Sequence, residues 1–195
     1  MAGIKLTKIE LKKQKDSLKR FRRYLPTLYI KKQLLQKEVA RINEQIELNR
    51  KTEKSIYESV SQWQGVFCEQ TDLGKLVSVK EIITGLDNIA GIDIPVLEYV
   101  KIETESYDFF ETPLWVDSAV LVIKELLELK IRISVLETQK KLLSEELRIT
   151  SQRVNLFEKV KIPETVDSIS KINIYLGDLQ TVAAGWARMA KKKIS

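Results

Sequence analysis

The 195-residue chain has no histidine and a single cysteine, Cys68. Without histidine there can be no Ser-His or Cys-His nucleophile pair, no His-bearing metal site and no imidazole proton shuttle. A lone cysteine excludes an intrachain disulfide framework and any CxxC metal or redox motif. Cys68 follows Phe67 on an apolar stripe and reads as a semi-buried structural thiol. Glycine (7) and proline (4) are scarce and aromatics make up 7%, whereas charged residues reach 31%, the balance of long, exposed, charge-laced helices. Long apolar runs are also missing. The longest, Ala119–Ile123 and Val182–Ala187, fall far short of the roughly 20 residues that span a bilayer. Met1-Ala2-Gly3-Ile4-Lys5 leads into a basic stretch with no apolar h-region, so a soluble, cytosolic chain without a secretory signal is expected.

What is present is charge, unevenly placed. Residues 1–40 hold twelve basic and three acidic side chains, and residues 188–195 add four basic ones. The formal net charge of +6 therefore resolves into +13 at the chain ends and −7 over residues 41–187.

Apolar positions recur in alternating steps of three and four. The first ladder runs Leu18, Phe21, Leu25, Leu28, Lys32, Leu35, Val39, Ile42, Ile46, Asn49, Glu53, Ile56, Val60, Trp63, Phe67, with twelve of fifteen positions apolar. That period fits a coiled-coil seam better than a strand. It predicts a helix of roughly 75 Å that begins near Thr7, whose hydroxyl can cap the backbone of Glu10. A second ladder runs Trp115, Ala119, Val122, Leu126, Leu129, Ile133, Leu136, Lys140, Leu143, Leu147, Thr150, Val154, Phe157. A third continues through Ile162, Thr165, Ile169, Ile172, Leu176, Leu179, Ala183, Trp186 and Ala190. The step from Phe157 to Ile162 is five, so the phase slips by one residue, and Pro163 at the slip predicts a kink rather than a stop. Pro26 predicts another in the first helix. The polar seam positions Lys32, Asn49, Glu53, Lys140 and Thr150 read as register control and solvated edges.

Two such helices cannot bury their stripes alone, and with one connection between them they pair antiparallel. Setting Trp63 and Phe67 against Trp115 makes paired residue numbers sum to roughly 180. The last fifteen or so residues then overhang as a single helix, and both basic ends meet at one tip. Between the ladders, Gly74, Gly85, Gly91, Pro95 and Pro113 punctuate β-branched runs at Leu76–Thr84 and Val96–Glu103. They predict a small β-hairpin with a loop around Asp87–Pro95. Tyr107-Asp108-Phe109-Phe110 returns the chain to a second helix that starts near Pro113, with Asp117 in its first turn. The fold class expected is mainly α: a long antiparallel two-helix coiled coil with a small hairpin-containing insert. The expected divisions are 1–67, 68–114 and 115–195.

No catalytic constellation emerges. Carboxylate pairs such as Glu145-Glu146 and Glu125/Glu128 lie on charge-rich helix faces, and paired carboxylates catalyse only inside a cleft that perturbs them. There is no GxxxxGKS/T loop and no GxGxxG, so no nucleotide, metal or other cofactor is expected on this chain. The basic tip is the sharper feature. Lys5, Lys8, Lys12, Lys13, Lys15, Lys19, Arg20, Arg22 and Arg23 join Arg188, Lys191, Lys192 and Lys193 there. Such a tip suits nucleic acid, an anionic membrane or an acidic protein socket. Aromatics are not interleaved as a stacking platform for single strands.

Three stretches point to a family: Arg153-Val154-Asn155-Leu156-Phe157-Glu158 followed by Ile162-Pro163, Leu34-Leu35-Gln36-Lys37, and Gly91-Ile92-Asp93-Ile94-Pro95. With them in order along almost its whole length, the chain resembles the D subunit of the V-type/A-type rotary ATPases. Pro26, Glu38-Val39 and Phe157 depart from that family's pattern. The resemblance implies a non-catalytic central-rotor shaft. Its coiled-coil tip, built on a seam that includes Leu18, Phe21, Leu28, Leu35, Ile42, Leu136, Leu143, Leu147 and Val154, would reach into the hexamer of catalytic A and B subunits. Its base would contact the small F subunit and the funnel-shaped C subunit that caps the membrane ring. The hexamer-facing contacts would come from Lys5, Lys8, Lys12, Arg188, Lys191, Lys192 and Lys193. The resemblance further implies torque that couples H⁺ or Na⁺ transport to ATP synthesis or hydrolysis, at the cytoplasmic face of a membrane, with no insertion into it and no nucleic acid. Two other readings of the residues stand beside this: a prefoldin-like chaperone subunit, which also joins two long helices through β-hairpins, and a basic coiled coil that binds nucleic acid or membrane.

Overall fold

A computed structural model describes residues 5–61, 76–105, 113 and 115–194. Trp63, Phe67, Cys68 and Tyr107–Phe110, on which parts of the sequence reading rest, lie outside the described residues, as do the junctions at 67/68 and at Leu114. Helix α1 covers Lys8–Ser61, strands β1 and β2 cover Val77–Ile89 and Ile92–Thr104, and helix α2 covers Trp115–Leu156. A π-helical turn at Phe157–Lys161 leads into helix α3, Ile162–Ile194. The fold is therefore mainly helical, with a long helix on either side of one antiparallel hairpin. The chain forms two compact units, Leu34–Leu147 and Met1–Gln33 with Arg148–Ser195.

The start of α1 follows from its first residues. The Glu10 N–H donates to the Thr7 hydroxyl at 3.2 Å and the Leu11 N–H to the Thr7 carbonyl at 3.0 Å, which supplies partners for two amides of the first turn. The Glu10 carboxylate is turned to Gln14, which donates to it at 2.7 Å. Pro26 stands inside a helix that continues through it, so the Arg22 carbonyl four residues back lacks its α-helical donor. At the start of α2 the Val116 N–H bonds the Pro113 carbonyl at 3.0 Å, and Asp117 favours the positive end of the helix dipole.

In the unit Leu34–Leu147, the helices run antiparallel. Arg50 reaches Glu137 at 2.6 Å, and the Lys130 ammonium lies 5.6 Å from the centre of the Tyr57 ring. Seven residues forward on α1 thus correspond to seven residues back on α2. Leu35, Ile42, Ile46 and Leu143 form the core here, all within 4% exposure, with Val39, Leu136 and Leu147 packed around them. Each such side chain withdrawn from water contributes about 1.5–3 kcal/mol.

The hairpin closes this core. Its strands are longer than the sequence suggests, and the expected loop at Asp87–Pro95 is instead paired β-structure. Ile89 faces Ile92 across a two-residue turn, and Leu86 faces Pro95. Ala90 (φ 55°) and Gly91 (φ 81°) both take positive φ, as a type I′ turn requires. The Asn88 side chain fastens it, accepting from the Gly91 N–H at 3.0 Å and donating to Asp93 at 2.6 Å. The register slips between Val79 and Glu81 and between Ile83 and Thr84, which leaves Lys80 on one strand and Glu98 on the other without an opposite residue. The tip residues Ile89, Ala90, Ile92 and Ile94 pack on the Leu35/Ile42/Ile46/Leu143 cluster. The open end, with Leu76, Val77 and Ile102, packs on Val116, Val120, Ile123 and Leu127 of α2. The hairpin is thus anchored at both ends, while Val79, Ile82, Ile83 and Leu86 between the anchors stay exposed.

In the other unit, the Phe21 and Phe157 rings meet with centroids 5.2 Å apart and planes tilted by 42°. Thr150, Val154, Thr165 and Ile172 are buried. Exposure takes over toward the C-terminus: Leu179 and Val182 are about half exposed, and Met189 and Trp186 reach 68% and 73%.

Candidate functional site

The basic residues singled out in the sequence all belong to the unit that joins the two chain ends. Lys5 precedes α1, and Lys8 and Lys12 occupy its first turns, all exposed. Lys12, Lys13, Lys19, Arg20 and Arg23, with Ile9 and Asp16, surround an open depression of about 500 Å³ along one helix. Charged groups on an exposed, basic surface of this kind attract an anionic partner without requiring a fixed geometry. Arg188 and Lys191–Lys193 occupy the last turns of α3, where cations complement the negative end of the helix dipole. All four are exposed, and they neighbour the exposed apolar pair Trp186 and Met189.

Of the seam residues, Leu35, Ile42, Leu143 and Val154 are fully buried, and Leu18, Phe21, Leu28, Leu136 and Leu147 are half-buried. Lys140 is exposed, and Gln139 is the buried residue at that level, 7% exposed. Its amide donates to the Pro95 carbonyl at 2.5 Å. The hairpin tip thus offers an acceptor that a two-helix seam would lack, and a side-chain amide can meet it inside the core where an ammonium would be costly to desolvate. Gln139 also closes one side of a groove of about 510 Å³ beneath the hairpin, with Arg41, Gln45, Glu98, Tyr99 and Arg132 among its other walls.

The stretch Arg153–Glu158 with Ile162-Pro163 spans the π-helical turn. The Ile162 N–H bonds the Phe157 carbonyl, five residues back. Tyr29 of α1 donates its hydroxyl to Glu158 Oε2 at 2.6 Å, and Thr165 donates to the Lys161 carbonyl at 2.6 Å. Sequence reasoning misses the Tyr29–Glu158 pair, which bridges 129 positions. The five-residue step and Pro163 are the signal that something irregular sits there.

The perturbed groups have surface causes. The hydrogen bond to Glu158 raises the Tyr29 pKa, because a phenolate would face a carboxylate. Lys80, at 3.0 Å, and then Lys101 hold Glu103 below its ordinary value. Contact with Tyr57, with Glu53 adding to it, raises Lys130. None of the three joins a second perturbed group, so each is explained by a local pair. Among the described residues no group of three or more His, Cys, Asp or Glu side chains is arranged to hold a metal ion. No described helix is long and apolar enough to cross a membrane.

A family model for the ATP synthase D subunit matches residues 10–192. The V-type ATP synthase D subunit of Borreliella burgdorferi is 42% identical over 194 residues, covering 100% of this chain and 96% of that protein. Those of Chlamydia pneumoniae and Chlamydia felis are 38% and 36% identical, each over 98% of this chain and 93% of the relative. With its two long helices, central hairpin and end-to-end match, the chain belongs to the ATP synthase D-subunit family.

Proposed function

We propose that this chain is the central-stalk shaft of a V-type ATP synthase, a structural component that carries torque between the ion-translocating membrane ring and the catalytic A/B hexamer. The observation that carries the reading is the long apolar seam, continued over two unlike helices and given a third layer by the hairpin. A shaft needs stiffness and asymmetry, not an active site. Stiffness comes from the buried core around Leu35, Ile42, Ile46, Ile94 and Leu143. Asymmetry comes from Pro26, the π-helical turn and the uncovered run of α3 beyond Leu176.

In this reading the divisions are a first long helix (1–67), the hairpin insert (68–114) and a second long helical segment (115–195). Lys5, Lys8, Lys12, Arg188, Lys191, Lys192 and Lys193 face acidic surfaces of the A and B subunits, and Trp186 and Met189 bury their apolar surface there. The remaining length binds the F subunit and the C subunit, the latter linking to the membrane ring. The chain works at the cytoplasmic face of the membrane, and H⁺ or Na⁺ passes through other subunits.

Affinity capture of the tagged chain from its native host tests this: the A, B, F and C subunits should co-purify. A salt-sensitive complex with RNA and no ATPase partner would overturn it. Reversing the charges of Arg188, Lys191, Lys192 and Lys193 together should leave ATP hydrolysis running but lower the ions moved per ATP. Unchanged ATP-driven pumping in that variant would refute the assigned role of the tip.

A further inference from the structure

In the seam of α2, Thr150, Val154 and Phe157 set a heptad frame that would continue through Glu164 and Lys171. Both are exposed, and the buried positions are Thr165 and Ile172, one residue later in each case. The extra residue is taken up between Phe157 and Lys161, where the Ile162 N–H reaches back five residues to the Phe157 carbonyl instead of four. Pro163 explains why the widening sits there. In a regular helix its ring would press on the Lys159 carbonyl, and it has no N–H to offer that carbonyl.

Helix α1 grips this turn at its first two residues. The Phe21 ring packs tilted against Phe157 with centroids 5.2 Å apart, and the Tyr29 hydroxyl donates to Glu158 at 2.6 Å. Pro26 lies between the two grips on α1, so the helix that holds the turn is itself short of a hydrogen bond at that level. Two weakened stretches of helix face each other and are cross-tied by the Phe21–Phe157 ring pair and the Tyr29–Glu158 hydrogen bond. Glu158 also discourages ionisation of the phenol, so Tyr29 remains a donor. Lys161 and Glu164, 3.3 Å apart, span the far end of the turn, and Thr165 caps the Lys161 carbonyl.

We propose that the π-helical turn is a torsional joint and that Tyr29 and Phe21 are its latch. While the latch is closed, the extra residue is held at Phe157–Lys161 and the stripe of α3 faces α1. When it opens, the extra residue moves along the helix, away from Pro163, and the backbone it crosses turns by one residue of helical rotation, about 100°. Tyr29 and Glu158 are positioning residues in this scheme. The joint is a property of the chain itself and stands or falls independently of the rotor reading.

The test uses the full chain with Tyr29→Phe, which keeps the ring and its packing but removes the donor. Backbone amides of residues 157–166 should exchange with deuterium about tenfold faster, while those of residues 35–46 keep their wild-type rates. Spin labels at the exposed positions Gln152→Cys and Ser170→Cys, in a Cys68→Ser background, should give one interlabel distance with Tyr29 present and a second population without it. Unchanged exchange over 157–166 would overturn the proposal. So would equal acceleration along the whole chain, or a single distance in both proteins.

Discussion

Replacing Ile94 by alanine asks whether the hairpin is part of the core or an ornament on it. Ile94 is 2% exposed, lies on β2 just beyond the turn, and packs in one cluster with Leu35, Ile42, Ile46 and Leu143. Those neighbours are held on two helices, so they cannot collapse far into the space left by the truncated side chain. Removing most of a large aliphatic side chain in such a site costs about 2–5 kcal/mol, and limited relaxation places this one near 3 kcal/mol. For a chain of this length that lowers the melting temperature by about 6–12 °C. Thermal and urea melts followed by helical circular dichroism at 222 nm are the assay. The signal comes from α1, α2 and α3, not from the strand that carries the substitution. A double-mutant cycle with Leu143→Ala should give an interaction energy of about 0.5 kcal/mol or more, because both side chains line one cavity. A helical transition unchanged to within about 0.5 kcal/mol would refute the reasoning and make the hairpin an appendage.

Other substitutions probe the remaining contacts. Gln139→Ala strands the half-buried Pro95 carbonyl that the amide serves at 2.5 Å and should cost about 1 kcal/mol in urea unfolding. Arg50→Ala removes an exposed ion pair with Glu137 whose partners are each roughly half in solvent, and should cost less than about 1 kcal/mol by the same measurement. Glu158→Gln should bring the Tyr29 pKa down toward the ordinary tyrosine value, read by NMR of ring-labelled tyrosine. The sign follows from the raised pKa in the fold: the contact adds stability below the unfolded tyrosine pKa, and that stability is lost as pH rises through the folded one. An unmoved Tyr29 titration would show that the hydrogen bond to Glu158 does not form in solution.

The seam is legible in the sequence because burial on a helix repeats every three or four residues. Leu35, Ile42, Leu143, Val154 and Ile172 are all buried at positions that this repeat marks. Lys140 stays a solvated edge, whereas the ladder passes over Gln139, because it counts two helices facing each other and the hairpin adds a third layer that draws Gln139 inward. Pro95 suggests a loop because proline cannot donate to a ladder. Asn88 and the positive φ of Ala90 and Gly91 instead close a two-residue turn upstream, and Pro95 serves through its carbonyl. The slip at Phe157 is visible as a five-residue step, yet periodicity does not say that one extra residue is absorbed as a π-helical turn. Tyr29 and Glu158 carry no local pattern, since their contact depends on helix pairing across the whole fold. The basic ends are plain from composition, whereas the exposed Trp186 and Met189 beside them emerge only from burial.

Rotation itself tests the account most directly. With the A/B hexamer of the assembled complex fixed to a surface and a bead attached to this chain, addition of ATP should turn the bead continuously in one direction. A bead that stays still while the fixed hexamer hydrolyses ATP would contradict the assignment of this chain as the rotor shaft.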